Sequence, residues 1–287
     1  MPNFVSSAGV DALSGFPGPS RPKGGGAVRL DAAELAALSK TREARWRPQL
    51  ADQPLHSEVF ADTGNASGAG LALALARDAL KVAAQHHDPL AEAEDRLQVL
   101  WVQDARAIRR GGRVYYHGLP PELRHRLIHV EAKTPEDALF ALEEGLRCRD
   151  LACVIGEIVG NPRTLDFTAS RRLSLAAEQH GVPLWLVRLE AQPDLSSARM
   201  RWRVEAAPSA TPRWNADAPG MPSWKAELFR ARSYAPGEWI LSNDNGRLQA
   251  RRPHASTAAN TQGSAAQNSG DLVRPTFGRS LAASARA

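Results

Sequence analysis

The chain has little cysteine and no long hydrophobic run. Two cysteines in 287 residues, Cys148 and Cys153, are too few for a disulfide framework or a four-cysteine zinc site. The longest apolar stretches, such as Leu71–Ala76, are far shorter than the roughly 18 residues that a membrane-spanning helix needs. The first ten residues lack the basic region and apolar region of a secretory signal. We therefore expect a cytoplasmic protein with no membrane segment and no structural metal.

The excess of basic over acidic residues lies at the two ends of the chain. The formal net charge is +5 and the isoelectric point is near 9.6. Residues 251–287 contribute +4 and residues 1–26 contribute +1, so residues 27–250 are neutral overall. Scattered arginines in a tail attract phosphates weakly, and a solvated tail is favoured. We therefore expect any DNA contact to be weak or indirect.

Composition divides the chain into three parts. Residues 1–26 are rich in Gly, Pro and Ser, and residues 251–287 are rich in Ala, Ser, Asn and Gln. Neither part contains enough large apolar side chains to offset the entropy lost on ordering, so we predict that both are disordered. Residues 27–250 are predicted to form the folded domain.

Within residues 27–250, strand-like and helix-like segments alternate. The apolar runs LQVLWVQ, LACVIGEI and LWLVRL predict buried strands, and amphipathic segments between them predict helices. This order indicates a mostly parallel sheet with helices on both faces. After residue 199, apolar and polar residues alternate, and Asn245-Gly246 is a typical hairpin turn. The predicted fold is α/β, with antiparallel C-terminal strands.

A loop of small residues, DTGNASGAG, follows the first predicted strand and precedes a predicted helix. This is the architecture of a P-loop, whose amides hold phosphates, whose lysine neutralises them and whose hydroxyl binds magnesium. With Gly68 as the second glycine, Ala69 replaces the lysine and Gly70 the hydroxyl. With Gly64 as the first glycine, Gly70 replaces the lysine and Leu71 the hydroxyl. We therefore predict no cofactor, no catalytic residue and a degenerate P-loop, comprising Gly64, Ser67, Gly68, Ala69 and Gly70.

Two acidic residues near strand ends are candidate magnesium ligands. Asp104 ends LWVQD and could face the same crevice, although a capping role is favoured. Glu157 lies one residue beyond the position expected for a ligand, and such a shift turns a side chain to the other face of a strand. We predict that neither residue binds a metal.

Six motifs occur in this order along the chain: LHSEVF, LWVQD, ALEEGLRC, LDFTASRRLSLAAE, SSARMRWRVEAAPS and WKAELFRAR. Together they resemble the ImuA family, translesion-synthesis-associated bacterial proteins grouped with SulA-type cell-division inhibitors. The run LHSEVFADTGNASGAGLALALA also resembles the P-loop region of RecA with its nucleotide-binding residues replaced. The resemblance covers about residues 30–251.

The resemblance implies a RecA-like domain and a non-enzymatic accessory role in SOS mutagenesis. The implied partners are an ImuB-type Y-family polymerase homologue, an error-prone C-family DNA polymerase and, as a further candidate, RecA. Two alternatives remain open. One is a SulA-like cell-division inhibitor, and the other is an unconventional ATPase that uses Asp104 or Glu157 with a cation from elsewhere.

Three sets of residues are candidates for partner or DNA contacts. A helix over Asp31–Trp46 carries an apolar stripe, which either docks on a partner, as the resemblance to RecA implies, or packs on its own domain. Two arginines at the start of a helix oppose its dipole, which favours either an anionic partner or local ion pairs with Asp166 or Glu178. The partner candidates are Leu35, Leu38, Trp46, Ser170, Arg171 and Arg172, and the DNA candidates are Arg109, Arg110 and Arg113.

A further arginine pattern lies in RMRWRVE. Arg199, Arg201 and Arg203 alternate with apolar residues, so the arginines share one face of a predicted strand and Trp202 lies on the other. Arginines interleaved with an aromatic side chain can bind nucleic acid. A solvated arginine face with Trp202 in the core is favoured.

Overall fold

The computed structural model describes residues 45–85 and 98–253, apart from residues 213, 216 and 245. These residues belong to the second of the two units into which the chain divides, 42–287. The strands are β1 (His56–Ala61), β2 (Gln98–Asp104), β3 (Leu127–Ala132), β4 (Leu151–Val159), β5 (Leu184–Leu189), β6 (Met200–Ala206), β7 (Ser223–Ala231), β8 (Gly237–Asp244) and β9 (Arg247–Arg251). The helices are α1 (Ser67–Gln85), α2 (Ala105–Gly111), α3 (Pro121–Arg124), α4 (Pro135–Arg147) and α5 (Phe167–His180), with a 3-10 turn at Tyr116–Gly118.

All nine described strands form one sheet in the order β3-β2-β4-β5-β1-β6-β7-β8-β9. The strands from β3 to β6 in this order are parallel, and β6 to β9 pair antiparallel. Helix-connected strands must run parallel because each helix returns the chain to the same end of the sheet. The predicted α/β fold with antiparallel C-terminal strands is confirmed, and the layout is consistent with that of RecA.

Two apolar cores cover the two faces of the parallel sheet. The face under α1 contains Cys153 and Ile155 of β4, and the face under α4 and α5 contains Val154 and Ile158. All nine residues of β4 are buried, which explains why LACVIGEI shows no alternation of apolar and polar residues. The central strands therefore present rigid ends to the loops that follow them.

Local sequence signals set the ends of the helices on the second face. Thr134 and Asp137 form a reciprocal capping box at the start of α4, with Pro135 in its first turn. Gly181 ends α5 with φ of 66°, a left-handed conformation that favours glycine. The caps are local, so the sequence near each cap is sufficient to end the helix there.

The segment RVYYH, residues 113–117, resembles a short strand in sequence but is not a strand in the structure. Residues 113–115 are irregular, and Tyr116–Gly118 form the 3-10 turn that leads into α3. Exposed Tyr115 and Tyr116 lack the neighbouring strand that would stabilise an extended conformation.

The predicted helix through Trp46 is also wrong at its end. Arg45 forms an isolated parallel bridge with Ala235, and Trp46 lies in irregular chain after it. Its indole is 1% exposed and packs edge-on against Trp202 at 4.6 Å and Trp239 at 5.6 Å between ring centroids. Trp46 therefore packs on its own domain and does not form an exposed partner anchor. The other two residues of that stripe, Leu35 and Leu38, lie outside the described residues, as do the predicted N-terminal segment and nearly all of the predicted tail.

A buried ionic cluster joins β5, β1 and β6. Glu58 is fully buried and accepts from Arg201 Nε at 2.7 Å, while Arg188 Nη1 lies 3.5 Å from its other oxygen. The Ser196 hydroxyl donates to Glu58 at 2.9 Å. The expectation that Arg201 lies on a solvated strand face is therefore wrong, because its side chain is buried in this cluster. Trp202 is fully buried, as predicted.

Replacing Trp46 with alanine tests the three-tryptophan contact. We expect Trp46→Ala to lower the free energy of unfolding by about 3–5 kcal/mol, because the cavity loses both apolar burial and aromatic packing. The measurement is equilibrium urea unfolding followed by circular dichroism. Trp214→Ala is the matched control, because Trp214 is 80% exposed, and we expect it to change the free energy by less than about 0.5 kcal/mol. Equal losses in the two variants would contradict the assignment of Trp46 to the core.

Candidate functional site

A crevice of about 310 Å³ lies beside the loop between β1 and α1. Its walls come from that loop, from Trp101 and Gln103 of β2, from Glu157 of β4 and from Tyr115. Ligands of open α/β sheets usually bind at the carboxyl ends of the strands, so this crevice is the candidate site that the fold positions.

Three backbone amides of the loop, those of Gly64, Ser67 and Gly70, donate to acceptors from the loop itself. Gly64 N donates to Asp62 Oδ1 at 3.0 Å, and Ser67 N donates to Asn65 Oδ1 at 2.9 Å. Gly70 N donates to the Ala66 carbonyl at 2.8 Å. In a phosphate-binding loop the corresponding donors face the ligand. Here a phosphate would have to displace two side chains, one of them a carboxylate.

The loop glycines serve packing. A Cβ placed on Gly68 would lie 2.7 Å from Val187 Cγ1 and 2.8 Å from Ala61 Cβ, well inside van der Waals contact. A Cβ placed on Gly70 would lie 3.1–3.4 Å from the indole of Trp224, which comes from β7. Small residues in GNASGAG therefore allow α1 to approach the sheet and Trp224 to approach α1. Such a glycine-rich loop looks like a P-loop in sequence although its glycines meet apolar side chains.

The charges around the loop do not favour an anionic ligand. Asp62 lies within the loop, and the Thr63 hydroxyl donates to Glu190. Among the described residues that line the crevice, Arg113 carries the positive charge, and Glu131 pairs with its guanidinium. The predicted degenerate P-loop thus has no lysine in the loop, and its nearest lining cation is already paired.

Glu157 faces the crevice, which corrects the expectation that it points the other way. The odd-numbered residues of β4, from Cys153 onward, lie on the α1 face, and Glu157 continues that series. Its Oε1 accepts from Trp101 Nε1 at 2.7 Å, and burial raises the pKa of its carboxyl. A carboxyl group must lose its proton to bind magnesium, so a raised pKa weakens Glu157 as a ligand.

Asp104 is a helix cap, as the favoured interpretation has it. Its Oδ1 accepts from Ala107 N at 2.6 Å at the start of α2, and its Oδ2 accepts from Val159 N at 3.1 Å. Both carboxylate oxygens are therefore used in joining β2, α2 and the end of β4. The neighbouring residue Gln103 is the one that lines the crevice, and sequence analysis did not single it out.

The three DNA candidates lie at and after the end of α2. Arg110 lies 3.6 Å from Glu190, Arg113 pairs with Glu131, and Arg109 is exposed. Tyr115 follows them with 71% of its surface exposed, and it was not among the residues that the sequence singled out. A role in DNA contact stays a prediction.

The other candidate set lies on α5. The Ser170 hydroxyl is buried, 2.8 Å from that of Ser196. Arg172 pairs with Glu143 of α4 at 3.1 Å. The two expected local partners are engaged elsewhere, because Asp166 caps α5 at Ala169 N and Glu178 pairs with Arg199. The expected ion pairs with Asp166 or Glu178 are therefore wrong, because Arg172 pairs with Glu143 instead. Arg171 is exposed.

Metal ligands and membrane helices were also sought in the described residues. These residues contain no group of three or more His, Cys, Asp or Glu side chains placed to hold a metal ion. Over the same ranges, no helix combines the length and the apolarity required to cross a bilayer.

Comparison with known proteins identifies relatives of this chain. No family model matches the chain. Protein ImuA from two strains of Caulobacter vibrioides is 36% identical over 126 residues, which are 40% of this chain and 50% of each relative. The match supports membership in the ImuA family. The chain spans about half the length of the curated ImuA proteins it matches, and the resemblance drawn from the six motifs is confirmed.

Adding one methyl group to the loop tests the close approach of α1 to the sheet. We expect Gly68→Ala to destabilise the protein by about 1–3 kcal/mol, because the new Cβ meets Val187 and Ala61. Gly64→Ala is the matched control, since the nearest atom to its new Cβ is Asp62 Oδ1 at 3.7 Å, and we expect almost no change. Urea unfolding of both variants gives the two free energies, and a neutral Gly68→Ala would contradict this packing.

Replacing Glu157 with glutamine tests its raised pKa. The folded protein binds the Glu157 proton more tightly than the unfolded chain does, so wild-type stability falls as pH rises above the unfolded pKa of about 4.5. Glutamine does not titrate and keeps an acceptor for Trp101. We therefore expect Glu157→Gln to become more stable relative to wild type as pH increases from 5 to 8. A stability difference that is the same at both pH values, measured by urea unfolding, would contradict the raised pKa.

Proposed function

We propose that this protein is a cytoplasmic, non-enzymatic accessory factor that supports error-prone translesion DNA synthesis during the SOS response. It would act through contacts with an ImuB-type Y-family polymerase homologue, an error-prone C-family polymerase and RecA. The similarity to protein ImuA supports a role in the mutagenesis system. The three named partners, and the mechanism of acting through contacts with them, are part of what we propose.

The observation that carries the non-enzymatic role is the occupation of the crevice loop by its own chain. Asp62 and Asn65 accept the loop amides, and Gly68 and Gly70 are in contact distance of apolar side chains. Phosphoryl transfer depends on positioned amides, a loop cation and a bound metal. The loop could provide positioned amides only after rearrangement, and it contains no cation.

The same observation explains why a folded RecA-like layout would be kept without nucleotide chemistry. A fold does not determine function, because function resides in the site that the fold carries. Here the loop contributes to the joint between the parallel strands and the antiparallel extension, through Trp224 and α1. A rigid sheet of this kind suits a surface that binds other proteins.

Partner binding in the presence and absence of nucleotide tests the proposal. We expect the full-length chain to form a complex with a purified ImuB-type partner at micromolar concentrations in a pull-down, and Mg-ATP at millimolar concentration to leave the complex unchanged. We also expect no shift in melting temperature and no phosphate release with Mg-ATP. A ligand at 100 times its dissociation constant would add about 2.7 kcal/mol, so even modest binding would be visible.

The two halves of this experiment fail separately. No complex with the partner would contradict the accessory role, and filamentation of dividing cells on overexpression would then favour the SulA-like alternative. Steady phosphate release by a sample free of contaminating hydrolases would contradict the non-enzymatic role and favour the ATPase alternative.

A further inference from the structure

A second cleft, of about 410 Å³, lies between α5 and the neighbouring ends of β6 and β7. It is distinct in position from the crevice beside the β1–α1 loop, and none of its lining residues is shared with it. We call it the arginine groove, defined by Phe167, Arg171, Leu175, Arg199, Arg230 and Arg232.

One wall of the arginine groove is a stripe on α5. Phe167, Arg171 and Leu175 follow one another at intervals of four residues, so they lie on the same side of the helix. Phe167 is 47% exposed and Leu175 is 50% exposed, whereas Leu173 and Ala177 pack into the core on the other side. The helix therefore presents two apolar side chains with a guanidinium between them.

The opposite wall is basic. Arg199 precedes β6, Arg230 lies in β7 and Arg232 follows it, and Arg232 N donates to the Arg199 carbonyl at 3.0 Å. Glu178 pairs with Arg199. For Arg171, Arg230 and Arg232, the described part of the chain provides no carboxylate within ion-pair distance. The groove thus retains a net positive charge after its internal pair is formed.

The floor of the groove is held by a hydroxyl network. Ser197 N donates to Ser170 Oγ at 2.9 Å, and the Ser197 hydroxyl donates to the Ser170 carbonyl at 3.0 Å. Ser196 connects this network to buried Glu58, and Ser174 lies 2.7 Å from His56 Nδ1. These bonds fix α5 relative to the segment before β6, so the two walls are preorganised for a ligand.

We propose that the arginine groove binds an acidic amphipathic segment of a partner protein. Such a segment would place aliphatic or aromatic side chains against Phe167 and Leu175 and carboxylates against Arg171, Arg230 and Arg232. Nucleic acid fits less well, because a phosphate backbone gains nothing from contact with Leu175. The inference rests on the proposed function, since it requires that the protein acts through protein contacts.

The chain's own ends do not match the occupant. Residues 254–287 contain Arg274, Arg279 and Arg286 against Asp271, and residues 1–44 contain more basic than acidic side chains. Neither end has an acidic run that would complement the arginines. Charge complementarity therefore favours a segment of another protein over either end of this chain.

The test is fluorescence anisotropy with the full-length chain and a labelled synthetic helix. The probe is a 16-residue peptide with Glu and Asp on one side and Leu at intervals of four residues on the other. We expect saturable, salt-sensitive binding. A peptide of the same length with every Glu and Asp replaced by Lys should not bind.

Variants assign the binding to the groove. We expect the double substitution Arg171→Glu and Arg230→Glu to weaken peptide binding by at least about tenfold, because two attractive contacts become repulsive. Leu175→Ser should weaken it about threefold or more through loss of the apolar contact. The controls are Arg149→Glu and Phe140→Ser, which change an exposed arginine and an exposed aromatic residue elsewhere and should have no effect.

Three results would overturn the proposal. The first is that the acidic peptide does not bind. The second is that the peptide binds but the groove variants leave its affinity unchanged. The third is that a single-stranded oligonucleotide binds and the groove variants abolish its binding. The last result would assign the groove to nucleic acid. Because the peptide assay does not use the ImuB-type partner, its outcome is independent of the pull-down that tests the proposed function. A partner complex that persists in the double variant, together with failed peptide binding, would contradict the groove alone.

Discussion

The indole of Trp224 lies against Gly70 at the start of α1, while Gly68 lies against Val187 and Ala61 of the parallel sheet. These contacts fix the first turn of α1 between the parallel strands and the antiparallel extension. A Cβ at Gly68 would force Val187 or Ala61 to shift, and a Cβ at Gly70 would press closely on the Trp224 indole. The loop that resembles a phosphate cradle thus serves packing, and its Gly64 and Ser67 amides donate to Asp62 and Asn65. This packing role is consistent with the absence of a lysine from the loop, with the placement of Glu157 and with the proposed accessory role.

Glu58, Arg188 and Arg201 form a buried cluster that joins β1, β5 and β6. Of these strands, β6 is the one that also pairs with the antiparallel extension. One carboxylate serves two guanidiniums, and the Phe60 ring lies 5.0 Å from Arg201 and 5.7 Å from Arg188. Buried ion pairs add little net stability because desolvation offsets their attraction, but breaking one leaves an uncompensated charge and is costly. Loss of one partner of the cluster would therefore destabilise the junction of β5, β1 and β6. It also supports the arginine groove, because Ser196 joins Glu58 to the groove floor.

Much of the fold could be predicted because its signals are local. Apolar runs identified β2, β4 and β5, and Thr134 and Gly181 are local residues that set helix ends. The errors concern residues whose environment is set by distant contacts. Arg201 alternates like a solvated strand residue, but Glu58, 143 positions earlier, draws it inside. Trp46 follows a helical pattern, yet Trp202 and Trp239 take it into the core. The expectation for Glu157 was wrong because its face was inferred from the ligand position of a P-loop protein. The alternation of side chains along β4 itself places Glu157 on the α1 face.

The central claim is that the Gly64, Ser67 and Gly70 amides of the β1–α1 loop are held by the chain and are not available to phosphates. Hydrogen–deuterium exchange of residues 62–70, measured with and without saturating Mg-ATP, tests it most directly. The account predicts the same exchange rates in both conditions, because Asp62, Asn65 and the Ala66 carbonyl keep their donors. Slower exchange of Gly64, Ser67 and Gly70 on addition of Mg-ATP would contradict it, since it would show a phosphate bound in the loop.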